Sequence, residues 1–277
     1  MCTSPELVIQ NKRRGRPLNH RLPKSRSITD NNIILVFLES LDPPDYADDL
    51  ARIQEPNRET CLWIEETENF IKWQNEPRPC VFHLSGKPGT GKSVLTKRIY
   101  GQIKSKQAIE GSKTCESLYY FCNNRKRGNG ETATNILRAL IHQLVSKERL
   151  PHLIDAVFES CQVLQTQGKS LQKEAENWSF QRLSAIYNTA VESSGLEELC
   201  IIIDALDECK EDSVGELLTS MATALLNKAT GTRVKLFVAS RIAAYIEEDM
   251  HDAFQLKRVI VFNLRIMPEL NENDIKM

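Results

Sequence analysis

The chain has 277 residues and a mass of 31.6 kDa, with 36 basic and 37 acidic side chains and a formal net charge of -1. That length suits one large α/β domain with short appendages, and the near-balance of charge excludes a global attraction to nucleic acid or to an acidic membrane surface. The eight cysteines form no C-x-x-C pair and no apolar run approaches the roughly 18 residues of a membrane span, so buried thiols, a reducing compartment and a cytoplasmic location without membrane contact are expected.

Residues 1–29 are polar and carry Lys12, Arg13, Arg14, Arg16, Arg21, Lys24 and Arg26 with no acid between Glu6 and Asp30, the pattern of a disordered basic tail. Within it Arg14-Gly15-Arg16-Pro17 resembles the core of an AT-hook, which would put Arg13, Arg14 and Arg16 on the minor groove of A·T-rich DNA. A solvated tail or a nuclear-import signal explains the same residues. Residues 30–58 read as a helical lead-in and linker: Asp30 caps a short apolar segment, Ile33 to Leu41, which ends before Pro43-Pro44. From Glu59 a single helix is expected, with Trp63, Thr67, Phe70 and Trp73 returning to one packing face, and Pro77 and Pro79 stop it.

Cys80 to Ser93 reads Cys-Val-Phe-His-Leu-Ser-Gly-Lys-Pro-Gly-Thr-Gly-Lys-Ser, an apolar strand running into a glycine-rich loop. This is the phosphate-binding P-loop pattern. Gly86, Lys87, Pro88, Gly89, Thr90, Gly91, Lys92, Ser93 and Val94 form the expected nucleotide cradle: glycines free the backbone to turn amides toward a phosphate, Lys92 adds a full charge, and Ser93 is placed to hold Mg²⁺. A helix over Ser93 to Tyr100 adds its dipole. A plain glycine turn between strand and helix would show the same local pattern. His83, inside the strand, reads as a satisfied core histidine.

Ser117 to Cys122 is the second expected strand. Helical spacing follows at Leu137, Leu140, Ile141 and Leu144, at Ile154, Val157, Cys161 and Leu164, and at Leu183, Ile186, Tyr187 and Ala190. Leu199 to Ile203 is a continuous apolar run, as in a strand covered on both faces. It ends at Asp204, the carboxyl end of a parallel strand, where open α/β sheets hold ligands. Asp204 is therefore the expected second Mg²⁺ ligand, and Asp207 and Glu208 follow as acids that could orient or deprotonate a water. A helix start with favourable acids is the plain alternative. A helix with Leu217, Leu218, Met221 and Leu225 comes next, then strands at Val234 to Ala239 and Val259 to Leu264. The first of these ends in Ser240-Arg241, which would put a guanidinium beside a γ-phosphate. Strands alternating with helices imply a parallel sheet with right-handed crossovers.

Gly-Lys-Pro-Gly-Thr-Gly-Lys-Ser, then Ile-Ile-Asp-Ala-Leu-Asp-Glu-Cys, then Val-Ala-Ser-Arg resemble the NACHT branch of the STAND signalling NTPases, in which a small residue, here Ala205, follows the Walker B aspartate. Thr60-Cys61-Leu62-Trp63-Ile64 and Phe70-Ile71-Lys72-Trp73 are similar to the lead-in of fungal NACHT proteins and nephrocystin-type P-loop domains. The resemblance implies a three-layer P-loop NTPase over residues 59–277, with a five-stranded parallel sheet of order 2-3-4-1-5. It also implies ATP or GTP with Mg²⁺, slow hydrolysis by Asp207, Glu208 and Arg241, and a signalling switch in fungal non-self recognition or innate immunity. Its partners would be a second copy or other STAND proteins. The helical and winged-helix subdomains of such proteins are not complete here, which fits either a natural short form or a gene fragment. Asn227-Lys228-Ala229-Thr230 lacks the aspartate of a guanine reader, and no kinase lid segment is evident. A different reading keeps the nucleotide structural and gives the work to the basic tail on DNA.

Overall fold

The computed structural model describes residues 28–57, 59–109, 114–123, 131–146, 178–227 and 231–267, and the side chains of these from residue 35 onward except that of residue 109. The basic tail, including Arg13, Arg14 and Arg16, and the helical pattern from Ile154 to Leu164 lie outside them.

A five-stranded, all-parallel sheet forms the middle layer, in the order β2-β3-β4-β1-β5. Its strands are β1 (Cys80–Gly86), β2 (Cys115–Phe121), β3 (Glu198–Asp204), β4 (Arg233–Ser240) and β5 (Ile260–Ile266). This is the order expected from the resemblance, and β4 separates β1 from β3. Because side chains alternate along a strand, each register row faces one side of the sheet. Leu118, Ile201, Leu236 and Val81 form one such row. They face a core built with α1 (Ile28–Leu41), α6 (Ala133–Val145), α7 (Phe180–Glu192), α8 (Glu211–Leu226) and α9 (Ala244–Met250). The neighbouring row, Tyr119, Ile202, Phe237 and Phe82, faces a second core built with α3 (Trp63–Glu66), α4 (Glu68–Asn75) and α5 (Lys92–Ile109). There Phe82 stacks on Phe237 at 5.4 Å, and Trp73 packs against both rings.

Two helices differ from the sequence expectation. α1 begins at Ile28, so Asp30 lies inside the helix and is not its cap. Once a helix is nucleated by the packed turn around Phe37 and Leu41, one more turn gains a backbone bond per residue at little further entropic cost. The single helix expected from Glu59 is instead a turn followed by two short helices, α3 and α4, broken at Thr67, whose backbone is extended. Thr67 N–H closes α3 on Ile64 O at 3.1 Å, and Thr67 O accepts from Phe70 and Ile71 to open α4. A β-branched residue loses little by leaving the helix, and its hydroxyl bonds Trp63 O at 3.1 Å. The break lets Phe70 and Trp73 point into the core while Trp63 is only half-buried.

The sheet edges are covered from outside. At β5, Asn69 of α4 donates to Asn263 O at 2.9 Å. At β2, which α2 (Tyr46–Arg52) flanks, the Gln143 amide acts as a one-residue strand mimic: it accepts from Tyr119 N–H at 3.1 Å and donates to Tyr119 O at 2.7 Å. Gln143 is itself buried. Replacing it with Leu keeps the volume but leaves both backbone groups of Tyr119 without this partner. The expected loss is about 1–3 kcal/mol, read as a lower urea midpoint at unchanged slope.

Candidate functional site

The carboxyl ends of β1, β3 and β4 bring together the residues singled out from the sequence. β1 ends at Gly86, where an added Cβ would lie 3.0 Å from Thr90 Oγ1 and 3.3 Å from Ile266 Cβ, so a side chain there would press on both as the strand turns into the loop. Gly89 and Gly91 then take φ of 76° and 74°, the left-handed region that costs other residues energy. Thr90 is buried and donates to Lys87 O at 2.9 Å, which pins the loop. Lys87, Pro88 and Gly89 are exposed, and Val94 is half-buried on the first turn of α5. α5 starts at Lys92, with Leu95 N–H on Gly91 O at 3.0 Å.

Lys92 arches back over this loop, its ammonium 2.8 Å from Gly86 O and 2.9 Å from Lys87 O. Burial lowers its pKa, against the pull of Asp207 and Asp204. Asp204, at the end of β3, is buried and accepts a hydrogen bond from Thr96 Oγ1 on Oδ1 at 3.0 Å, with the Ser93 hydroxyl close by. Burial pushes the Asp204 carboxyl up to about 6; the hydroxyls of Ser93 and Thr96 and the charge of Lys92 oppose that rise, and Asp207 adds to it. Thr96 did not emerge from the sequence reading. Its one signal is its spacing: three residues after Ser93 on a helix, it shares Ser93's face. Its hydroxyl also reaches Lys92 O at 2.8 Å, which holds the rotamer.

After Asp204 the chain turns sharply. Ala205 sits at φ 54° and ψ 44°, a left-handed conformation that β-branched side chains resist, and a 3₁₀ turn follows over Leu206–Glu208. The turn aims Asp207 at β4. Its Oδ1 accepts from Arg241 N–H at 2.7 Å and its Oδ2 lies 3.1 Å from Arg241 Nε, so acid and arginine form one clasp across two strand ends. In the sequence these residues stand apart, 34 positions from one another, and nothing in it pairs them. Glu208, half-buried, ends the turn. Beneath the site, His83 Nε2 meets Ser240 Oγ at 2.9 Å between β1 and β4, and burial lowers the histidine's pKa, as suits a neutral core imidazole.

This donor set is chemically selective. The Ser93 hydroxyl and the neighbouring Asp204 carboxyl are hard oxygen ligands of the kind Mg²⁺ takes, beside an ammonium and a glycine-turned loop suited to phosphate. Among the described residues no group of three or more His, Cys, Asp or Glu is arranged for a metal. A cation held here would therefore share its shell with phosphate oxygens or water.

Vegetative incompatibility protein HET-E-1 of Podospora anserina is 29% identical over 205 residues, which cover 73% of this chain but 14% of that protein. Among solved structures, the Aeropyrum pernix ORC2 protein (ADPNP-ADP complexes) superposes with a TM-score of 0.45 at 13% identity, covering 77% of this chain and 50% of that one. The Aeropyrum pernix ORC1 protein in complex with DNA gives a TM-score of 0.43 at 15% identity, covering 88% and 53%. The chain thus spans a small part of its curated relative and about half of these solved chains. The family model described as Nephrocystin 3, N-terminal matches residues 59–241, from the turn before α3 to the arginine of the clasp. That match takes in well over half of the sequence, and the chain belongs to the Nephrocystin 3, N-terminal family.

Proposed function

We propose that this chain is a nucleotide-binding switch that takes ATP or GTP with Mg²⁺ and hydrolyses it slowly. The observation that carries the reading is the hydrogen bond from Thr96 to Asp204 beside the Lys92 ammonium, which joins the helix after the phosphate loop to the end of β3. In this reading Lys92 leaves the carbonyls of Gly86 and Lys87 for a phosphate, Gly86 to Val94 cradle the phosphates, and Ser93 and Asp204 hold the metal. Bound Mg²⁺ would neutralise charge developing on the phosphate oxygens. Thr96 keeps Asp204 oriented. A role in non-self recognition is in line with the printed name of the Podospora relative, a vegetative incompatibility protein.

The slow rate follows from the same side chains. Ala205 stands directly after Asp204, where it offers no base, and both oxygens of Asp207 are engaged by Arg241. Asp207 therefore acts as the positioner of Arg241, whose guanidinium would meet the terminal phosphate. Water activation falls to Glu208, one acid at the end of a turn. General-base help is worth typically 10²–10⁴-fold, so a poorly placed base leaves turnover well below the enzyme median of about 10 s⁻¹.

Lys92→Ala should weaken binding of Mg-ATP by more than about 2 kcal/mol, the scale of a charge-assisted hydrogen bond, in a calorimetric titration; unchanged affinity refutes the phosphate site. Glu208→Gln should lower phosphate release at least tenfold and leave that affinity nearly intact, because the amide keeps the shape and loses the base. Hydrolysis equal to the unmodified chain removes Glu208 from the mechanism.

A third expectation concerns pH. Burial raises the Asp204 carboxyl from its ordinary 3.8 to about 6. The folded chain thus binds a proton between those values that the unfolded chain has released, and in Mg²⁺-free buffer this group's contribution to stability falls as pH rises through that window. Denaturation midpoints of Asp204→Asn, which cannot ionise, should lack this component, so the variant gains on the unmodified chain from the low to the high side of the window. A constant difference between the two would show that Asp204 is not held protonated by burial.

A further inference from the structure

A polar row crosses the sheet just beneath the phosphate loop. His83 of β1 is level with Val238 of β4 and Asn263 of β5, and two residues further along β4 comes Ser240. His83 is 6% exposed and Ser240 is fully buried, on the face whose other strand residues, Val81, Leu236 and Val238, belong to the aliphatic core. An imidazole and a hydroxyl buried there cost desolvation that aliphatic side chains would avoid, and hydrogen bonds must offset it.

Those bonds run in one direction. Ser240 Oγ donates its single proton to Arg241 O at 2.9 Å, so toward His83 Nε2, also at 2.9 Å, it can only accept. That fixes the imidazole as the Nε2–H tautomer. Burial lowers the histidine's pKa against the charge of Glu247 on α9, which Arg265 of β5 pairs at 3.2 Å, so at neutral pH the ring holds one N–H. Its other nitrogen is then an acceptor, and the Asn263 side chain stands close to the ring as a donor. The row ends on the main chain of Arg241, which is held from the other side as well: Asp207 Oδ1 accepts its N–H at 2.7 Å and Asp207 Oδ2 lies 3.1 Å from its Nε. Both main-chain polar groups of Arg241 are therefore engaged by side chains, although only Arg241, Ile242 and Ala243 join β4 to α9 and such a short link would otherwise be free to turn. The guanidinium charge reaches the Lys92 ammonium, whose pKa it helps to lower, so the two cations converge on one place.

From this geometry we propose that His83 is a positioning residue for Arg241: through Ser240 it fixes the Arg241 carbonyl while Asp207 fixes the amide, and the two together aim the guanidinium at the terminal phosphate. The proposal deepens the nucleotide reading and rests on it for the phosphate. His83 lies under the strand ends and does not itself meet the nucleotide. What it supplies is discrimination. A diphosphate lacks the group that Arg241 meets, so a loosened Arg241 costs triphosphate affinity and leaves diphosphate affinity as it was, whereas a histidine kept only for packing would affect both alike.

The full chain is compared with His83→Leu, Ser240→Ala and His83→Gln, the last of which places an amide N–H near the position of Nε2 and so keeps the donor to Ser240. In titrations with Mg-ADP and with a non-hydrolysable Mg-ATP analogue, Arg241→Ala should lower the preference for the triphosphate about tenfold, the scale of a charge-assisted hydrogen bond. His83→Leu and Ser240→Ala should each lower it severalfold, leave Mg-ADP affinity nearly unchanged and add nothing on top of Arg241→Ala, and His83→Gln should restore it. Equal losses for both nucleotides, an unchanged preference, or effects additive with Arg241→Ala overturn the proposal. Hydrogen exchange in the nucleotide-free chain needs no ligand: the Arg241 amide should exchange about tenfold faster in His83→Leu and Ser240→Ala while the amides of the β1 and β4 ladder keep their rates. An unchanged Arg241 rate overturns the proposal whatever the nucleotide does. Ser240→Ala decides the matter if His83→Leu does not fold. Failure of the unmodified chain to bind either nucleotide refutes the nucleotide reading, and the exchange rates still decide whether His83 holds Arg241.

Discussion

The site depends on a hydrogen bond made across a strand that belongs to neither partner. Thr96 and Ser93 stand on the helix that leaves β1, Asp204 ends β3, and β4 lies between those two strands. Neighbouring strands are about 4.8 Å apart, so β1 and β3 are separated by nearly 10 Å, and the gap over the end of β4 is as wide as a phosphate with its metal. Everything at that gap is arranged from its two sides: the lysine and hydroxyls from the β1 side, the carboxylates from the β3 side. Ser240 and Arg241 form the floor, where the Asp207 clasp ties β3's turn to β4.

The gap is stable because the sheet beneath it is rigid on both faces. Register rows of aliphatic side chains fill one core and rows of aromatic and aliphatic side chains fill the other, so no strand can slip by one residue without exchanging its two faces. Polar groups are few within the strands and each has a purpose of its own. His83 bonds Ser240, Thr96 donates to Asp204, and Lys235 donates to Gln74 O in the last turn of α4, where a cation complements the helix dipole. The two ends of the sheet thereby differ in kind. The carboxyl end gathers glycine-turned backbone and paired charges, whereas the amino end carries the cluster of Glu198, Arg233 and Lys235.

Burial has opposite consequences for the two charged groups nearest the gap. It lowers Lys92 and raises Asp204, and each opposes the other's shift because their charges attract. A ligand carrying both phosphate and Mg²⁺ would answer the two groups together, since the anion favours the ammonium and the cation favours the carboxylate. Neither ion alone does so.

How much could be read without the fold depends on the range of each interaction. The P-loop, the apolar run ending in Asp204 and the strand ending in Arg241 are contiguous patterns, because glycine turns and buried strands are written in neighbouring residues, and the alternation of those strands with helices was enough for a parallel sheet. The order of the strands came from resemblance, and the pairing of β4 with both β1 and β3 is in agreement with it. The helix break at Thr67 and the start of α1 at Ile28 were not legible, since propensity differences of a few tenths of a kcal/mol decide such boundaries only together with packing. Thr96, the Asp207 and Arg241 clasp and the Gln143 cover on β2 share one property. Each is a relation between residues that folding brings together from different elements, and a side chain's identity does not say which partner the tertiary structure will put within 3 Å of it.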